Sequence, residues 1–398
     1  MARESVCYCN KSKSDLEKFD YDLIVLGGGS GGLSAAKEAA DLGAKVAIFD
    51  CCANAGDFPK KIMHQAALFG EAIQESTDKL GGQYIGFLKR KPISFDGKIT
   101  DSRFSGWQIE ADIQHNWRSL ENVVQKYVKT VKCALKAELA RRKIVHFPTS
   151  GSFKDPHTIL PAKSGHKEVT GKLILIALEA REQYPDIPGD VQLGITTEDL
   201  FSREKSPGKT LIIGAGCMGL ECAGFLNGLG YNVTVMNRSA MALKRLDRSM
   251  ASHVVAEMEQ RGVKFLSECQ AKSITKSPDS ERLQCTWVDG ENQQVAEDFD
   301  TVLFAIGRKT SLTNLNLEKA SVRDFNADSG HIQTMNEQTN VPHIFAVGDV
   351  LHDKPQMASI ALQAGKLLSR RLFACSREHM DYEIFGFVLF TPLEYGAV

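Results

Sequence analysis

Apolar residues gather into short runs along this chain, and two of the runs are followed by the same punctuation. Leu23-Ile24-Val25-Leu26 leads into Gly27-Gly28-Gly29-Ser30-Gly31-Gly32, a helical pattern to Leu42, a second run Val46-Ala47-Ile48-Phe49, and then Asp50. Leu211-Ile212-Ile213 leads into Gly214-Ala215-Gly216-Cys217-Met218-Gly219, a helical pattern from Leu220 to Leu229, the run Val233-Thr234-Val235-Met236, and then Asn237-Arg238. Strand, glycine loop, helix and strand are thus predicted twice. Two copies of one supersecondary unit, separated by a connector, predict two nucleotide-binding domains.

Between and around these copies the pattern changes. Residues 1–18 read as a tail. A helix is predicted from Pro59 to about Thr77. Over 78–106 the glycines at 81, 82, 86, 97 and 106 break any period, so a long loop is expected. Residues 111–142 carry a helical pattern with Trp117, Leu120, Val124, Tyr127 and Val131 on its apolar face. Short strands follow through Lys172–Ala177, and Ile187-Pro188-Gly189 reads as a turn into a connector. Strand signals recur at Thr301–Ile306 and Ile344–Val347, and Ala358 to Phe373 is predicted as a final helix.

Composition adds little to this and removes several classes. The 398 residues are 43% hydrophobic and 24% charged, an ordinary globular balance with room for two or more domains. A net charge of −1 gives no field for nucleic acid or a membrane surface. No apolar run reaches the length of a membrane span, and Met1 to Lys18 lacks the apolar core of a signal peptide. A cytoplasmic protein is the expectation. The ten cysteines do not form a small secreted framework, and Cys7 and Cys9 belong to the tail. No metal ligand set is assigned.

The chemistry is in the loops. Gly27, Gly29 and Gly32 satisfy G-x-G-x-x-G: the first permits a tight turn, the second lets backbone approach a diphosphate, and the third lets helix pack on strand. With Ser30 and Gly31 they open a helix whose N-terminus offers free N–H groups and partial positive charge. Asp50 stands where a ribose-binding acid is expected. Gly214, Gly216 and Gly219 repeat the motif, but the next strand ends in Asn237-Arg238. A guanidinium suits the extra phosphate of NADP, and Lys244 and Arg245 lie close enough in sequence to share it. Late in the chain Ile344-Phe345-Ala346-Val347 ends in Gly348-Asp349, an acid placed to accept a ligand hydroxyl.

These three motifs, in this order, resemble the FAD-dependent pyridine nucleotide–disulfide oxidoreductases. The local wording is most similar to the large, animal-type thioredoxin reductases at Pro59-Lys60-Lys61-Ile62-Met63-His64-Gln65-Ala66-Ala67-Leu68, Leu220-Glu221-Cys222-Ala223-Gly224-Phe225-Leu226 and Phe390-Thr391-Pro392-Leu393-Glu394-Tyr395-Gly396-Ala397. The resemblance implies an α/β fold of two Rossmann-like, three-layer domains, the NADPH domain inserted in the FAD domain. Its boundaries would be 19–195 and 316–398 for FAD, with the loop 78–106 as an insertion, and 196–315 for NADPH. It implies FAD on Gly27, Gly29, Gly32, Asp50, Gly348 and Asp349. It implies NADPH on Gly214, Gly216, Gly219, Arg238 and Arg245, with the loop around Gly307 at the border. Cys52 matches the first redox cysteine, Lys60 the lysine beside the flavin, and Glu221 its acidic partner. Thioredoxin or a similar disulfide would be the substrate.

Four departures temper that implication. Where the family has a second cysteine this chain has Asp57, and a carboxylate can neither close a disulfide nor attack one. Asp50 and Cys52 are two residues apart, so they lie within about 7 Å of each other, too close to reach both ends of one extended dinucleotide. A strand end that reads Ala-Thr-Gly in the family is Ala177-Leu178-Glu179 here. The family's C-terminal dimerisation domain does not follow Val398 in the sequence given, so a homodimer of the family type is not expected. The expected function is a thioredoxin reductase-like enzyme impaired in disulfide exchange. Alternatives are an NADPH diaphorase that needs no cysteine pair, a non-catalytic nucleotide-binding relative, and an incomplete gene product.

Overall fold

The computed structural model describes residues 18–50, 58–77 and 115–398, apart from 164, 166 and 279. The expectations for the tail, for Cys52 and Asp57, and for the loop 78–106 lie outside the described residues.

The first sheet is built from β1 (Tyr21–Leu26), β2 (Val46–Phe49), β3 (Val145–Phe147), β4 (Gly151–Asp155), β5 (Thr158–Pro161) and β6 (Val169–Ile176), in the order β3-β2-β1-β6-β5-β4. The late strand Ile344–Ala346 returns to pair in parallel with β6, with Ile344 opposite Ile174. β1 through Leu23–Leu26 and the whole of β2 are buried, because helices cover one face of the sheet and β4, β5 and the segment around Leu312–Val322 cover the other. On one face α1 (Ser30–Asp41) lies against the helix Ala358–Phe373. Their contact is lined by small residues: Gly365 packs onto the Gly31 carbonyl, and the Ser369 hydroxyl donates to the Ala35 carbonyl at 2.8 Å. Such close approach leaves no room for a methyl at Gly365.

The second copy repeats the plan. β9 (Thr210–Ile213) is the third of three strands after β7 (Arg181–Glu182) and β8 (Ile195–Thr196). With β8, β10 (Val233–Met236), β11 (Lys264–Leu266) and the strand Thr301–Phe304 it forms a five-stranded parallel sheet. A three-stranded antiparallel sheet, Gln270–Lys276, Leu283–Val288 and Gln294–Phe299, covers one face through Ile274, Cys285, Trp287 and Phe299. The helix Cys217–Gly228 covers the other, its Leu220, Phe225 and Leu226 fully buried. Each such side chain removed from water contributes about 1.5–3 kcal/mol.

Two long helices precede the second sheet. α2 (Phe58–Thr77) packs on the Cys217–Gly228 helix, tying the first half of the chain to the second. α3 (Trp117–Arg141) is capped by the Asn116 side chain, which accepts from the Ser119 amide at 2.9 Å. Its indole at Trp117 donates to the Arg203 carbonyl at 2.7 Å. The apolar face predicted for this helix is only partly buried: Trp117 and Val124 are, but Tyr127 is 43% exposed. The helix bridges two separate apolar clusters, one at Trp117 and Val124 and another at Leu139, and Tyr127 falls in the gap. Among the described residues no helix is long and apolar enough to cross a membrane.

Candidate functional site

In a parallel sheet the loops leaving the carboxyl ends of neighbouring strands meet at one edge. β1 gives way to Gly27, β2 to Asp50, β6 to Ala177-Leu178-Glu179, and the strand Ile344–Ala346 to Val347-Gly348-Asp349. All of them converge on the first turn of α1. Gly27 has φ +117 and its Cα faces the Ala177 carbonyl, so only glycine fits. Gly29 is the N-cap of α1 with no side chain capping it, which leaves the amides of that turn to a ligand. The Asp50 side chain leans over Gly28. The Asp349 carboxylate accepts from the Ala180 amide at 3.1 Å and lies 3.7 Å from the Arg308 guanidinium.

Glu179 occupies the approach to this turn. A methyl built on Gly29 would stand 2.6 Å from Glu179 Oε1 and 2.7 Å from its Cγ. Burial pushes this carboxyl up from 4.5 to about 7, with Asp349 and Asp50 adding to the rise and Arg308 and Arg181 opposing it.

The second loop has the same skeleton and a clear approach. Gly214 has φ +120 and faces the Ala305 carbonyl, as Gly27 faces Ala177. Gly219 packs on the Gly214 carbonyl, as Gly32 packs on Gly27. A methyl on Gly216 would meet nothing within 4 Å. Gly307, with φ +124, is open in the same way. Beyond β10 the Asn237 side chain is buried and donates to the Ser239 carbonyl, shaping the turn that presents Arg238 to solvent. Lys244 and Arg245 are exposed beside it. Among the described residues none of these three cations is held in an ion pair.

A buried ion pair joins α2 to the Cys217–Gly228 helix. Lys60 Nζ on α2 stands 2.6 Å from Glu221 Oε2 on the Cys217–Gly228 helix, with both side chains less than a tenth exposed. Such a pair holds only with its remaining polar atoms satisfied. Glu221 Oε1 accepts the Phe390 amide at 2.9 Å, and Lys60 Nζ also reaches Met218 Sδ at 3.8 Å. The amide belongs to a late antiparallel hairpin, Phe387–Leu389 with Tyr395–Ala397. Its turn seats Pro392 on Gly224 of the same helix, and Glu394 reaches the buried His64 at 3.0 Å. The thiol of Cys217 is raised by burial and then by Glu221, and that of Cys222 is raised well above its usual range by complete burial. Neither is a thiolate at neutral pH.

Lys60 and Glu221, far apart in sequence, are therefore brought together. So are Gly27, Gly29, Ser30, Gly31, Gly32, Asp50, Gly348 and Asp349 at one sheet edge, and Gly214, Gly216, Gly219, Gly307, Arg238 and Arg245 at the other. Sequence reasoning missed the hairpin's hold on Glu221 and the direction of the Glu179 side chain. The hairpin's wording was visible, but nothing local tells which helix it caps. The one available signal for Glu179 was its departure from Ala-Thr-Gly.

Comparison with known proteins fits this arrangement. The family described as pyridine nucleotide-disulphide oxidoreductase matches residues 21–365. Thioredoxin reductase 2, mitochondrial, of Drosophila melanogaster is 40% identical over 417 residues, covering 100% of this chain and 75% of that protein. Thioredoxin reductase SEP1 of Emiliania huxleyi is 36% identical over 403 residues, covering 95% and 75%. Reductases of this family use FAD and NADPH. The second loop fits its nucleotide: the cradle at Gly216 is open and cations face solvent beside it. The first loop fits only in part. Its turn and its acids are in place, but the Glu179 carboxylate lies where a diphosphate would approach Gly29.

Proposed function

Because the chain belongs to the pyridine nucleotide-disulphide oxidoreductase family, we propose that it is a thioredoxin reductase-like protein that binds NADPH but is impaired in disulfide exchange. Residues 196–315 form the NADPH domain in this reading, with 19–195 and 316–398 forming the flavin domain around it. Gly214, Gly216 and Gly219 hold the diphosphate of NADPH, and Arg238 with Arg245 holds its 2′-phosphate. Lys60 and Glu221 stand beside the reacting end of the nucleotide in this reading, and Cys52 matches the redox cysteine by sequence. The observation that carries the proposal is their buried 2.6 Å pair, since a charge pair is costly to bury and is retained here beside an open nucleotide cradle.

Impairment rests on Asp57. The residue five positions after Cys52 has no sulfur, so the family's second redox thiol is missing there, and the adjacent Cys51 is a poor substitute because bridging sequence neighbours strains the peptide between them. The purified protein should therefore bind NADPH yet reduce oxidised thioredoxin far below the roughly 1–1,000 turnovers per second of working enzymes. Turnover in that range, abolished by Cys52→Ser, would refute the impairment.

One observation favours a second reading, a nucleotide-binding relative without catalysis. It is the carboxylate of Glu179 over the first loop. NADPH binding, followed by fluorescence, with no NADPH oxidation in the presence of added FAD and thioredoxin would select it. NADPH oxidation that requires added FAD would reject it.

A further inference from the structure

We infer that Glu179 decides whether the first glycine loop accepts a flavin dinucleotide: its carboxylate takes the place of the diphosphate, so FAD binds only once that carboxylate is neutral or displaced.

The molecule contains its own control. Gly27 rests against Ala177, and Gly214 rests against Ala305. Counting two residues on from each alanine gives Glu179 in the first copy and Gly307 in the second. Gly307 has φ +124 and no neighbour where a side chain would begin. Glu179 has a side chain there and has no such left-handed backbone. It folds onto Gly29, against the first turn of α1, while the corresponding Gly216 is bare. A carboxylate at a helix N-terminus gains from the same partial positive charge that a phosphate would use. One site cannot hold both anions.

The surrounding charges do not relieve the conflict. Four charged groups act on Glu179: Asp50 from the end of β2, Asp349 from the strand Ile344–Ala346, Arg308, and Arg181 of β7. Asp50 and Asp349 add negative charge beside Glu179 and so do not neutralise it. Arg308 is engaged, its Nη2 donating to the Ala180 carbonyl at 2.6 Å and its Nη1 facing Asp349 at 3.7 Å. Arg181 is paired with Glu198 at 3.0 Å. Burial already holds the Glu179 carboxyl near neutrality, so an arriving diphosphate needs only a proton taken up at this one group.

The inference rests on the first loop being a dinucleotide site, and the test separates the two. FAD is titrated into the flavin-free full-length protein at pH 6 and pH 8, and binding is read from quenching of flavin fluorescence. Wild type, Glu179→Gln and Glu179→Gly are compared. Gln keeps the shape without the charge, Gly reproduces the second loop, and the wild-type pH comparison needs no substitution. One linked proton predicts wild-type affinity about tenfold weaker at pH 8 than at pH 6. Glu179→Gln should lose that dependence, and Glu179→Gly should bind at pH 8 at least tenfold tighter than wild type. Equal wild-type affinity at both pH values, unchanged by either substitution, overturns the role of Glu179 and leaves the site standing. No FAD binding by any of the three proteins at either pH overturns both.

Discussion

The two glycine loops of this chain share a backbone and differ in what stands over it. Both place a glycine of positive φ against the alanine that ends a neighbouring strand, and both pack a third glycine onto the carbonyl of the first. The first loop then faces a glutamate and the second faces open space. A glycine loop is thus a statement about backbone, while binding depends on side chains that the fold brings in from far along the chain. Glu179 is 150 residues away from Gly29 in sequence.

The largest effects test the shared part. Gly27→Ala and Gly214→Ala should each destabilise the protein by roughly 3 kcal/mol or more, because a methyl there meets a backbone carbonyl at a φ that alanine avoids. Urea unfolding of the two variants should give similar losses, and a large difference would break the equivalence of the loops. Where α2 meets the Cys217–Gly228 helix, Lys60→Met strands the Glu221 carboxylate in a buried site and should cost about 3 kcal/mol in the same assay. Lys60→Met combined with Glu221→Gln, which removes the charge but keeps an acceptor for the Phe390 amide, should recover most of it.

Smaller effects test the difference. Glu179 carries an acid raised by burial, so the folded state binds its proton more tightly than the unfolded chain does. The stability it allows is complete below pH 4.5, is lost as pH rises towards about 7, and is flat above that. Glu179→Gln should remove this slope, leaving the variant more stable than wild type at pH 8 by on the order of 1–3 kcal/mol. Thermal unfolding across that pH range measures it. Gly216→Ala should leave stability within about 0.5 kcal/mol of wild type yet weaken NADPH binding roughly tenfold, since the methyl fills only the ligand's space. Arg238→Ala should weaken NADPH by a similar factor and leave NADH unchanged, because only NADPH carries the extra phosphate.

Much of this was legible in the sequence. Leu23–Leu26 and Leu211–Ile213 read as strands because strands buried on both faces have no polar side to show. Asp50, Arg238 and Asp349 were legible as strand-end residues, since the ends of parallel strands are where ligands sit. Lys60 and Glu221 were legible through wording alone. Their juxtaposition depends on α2 packing against another helix, and no local period encodes that. The exposure of Tyr127 was hidden for the same reason: periodicity says which residues share a face, and partner length says how much of the face is covered.

The late hairpin has a consequence in time. Glu221 receives its amide from Phe390, 169 residues later in the chain. At the usual pace of synthesis of about 5–20 residues per second, that amide leaves the ribosome roughly 10–30 s after the helix that needs it. During that interval the nascent helix carries a carboxylate whose second oxygen has only water to satisfy it, and the apolar surface that Pro392 will cover at Gly224 stays bare. The Lys60–Glu221 pair therefore gains its full set of partners only well after its own helix has been made.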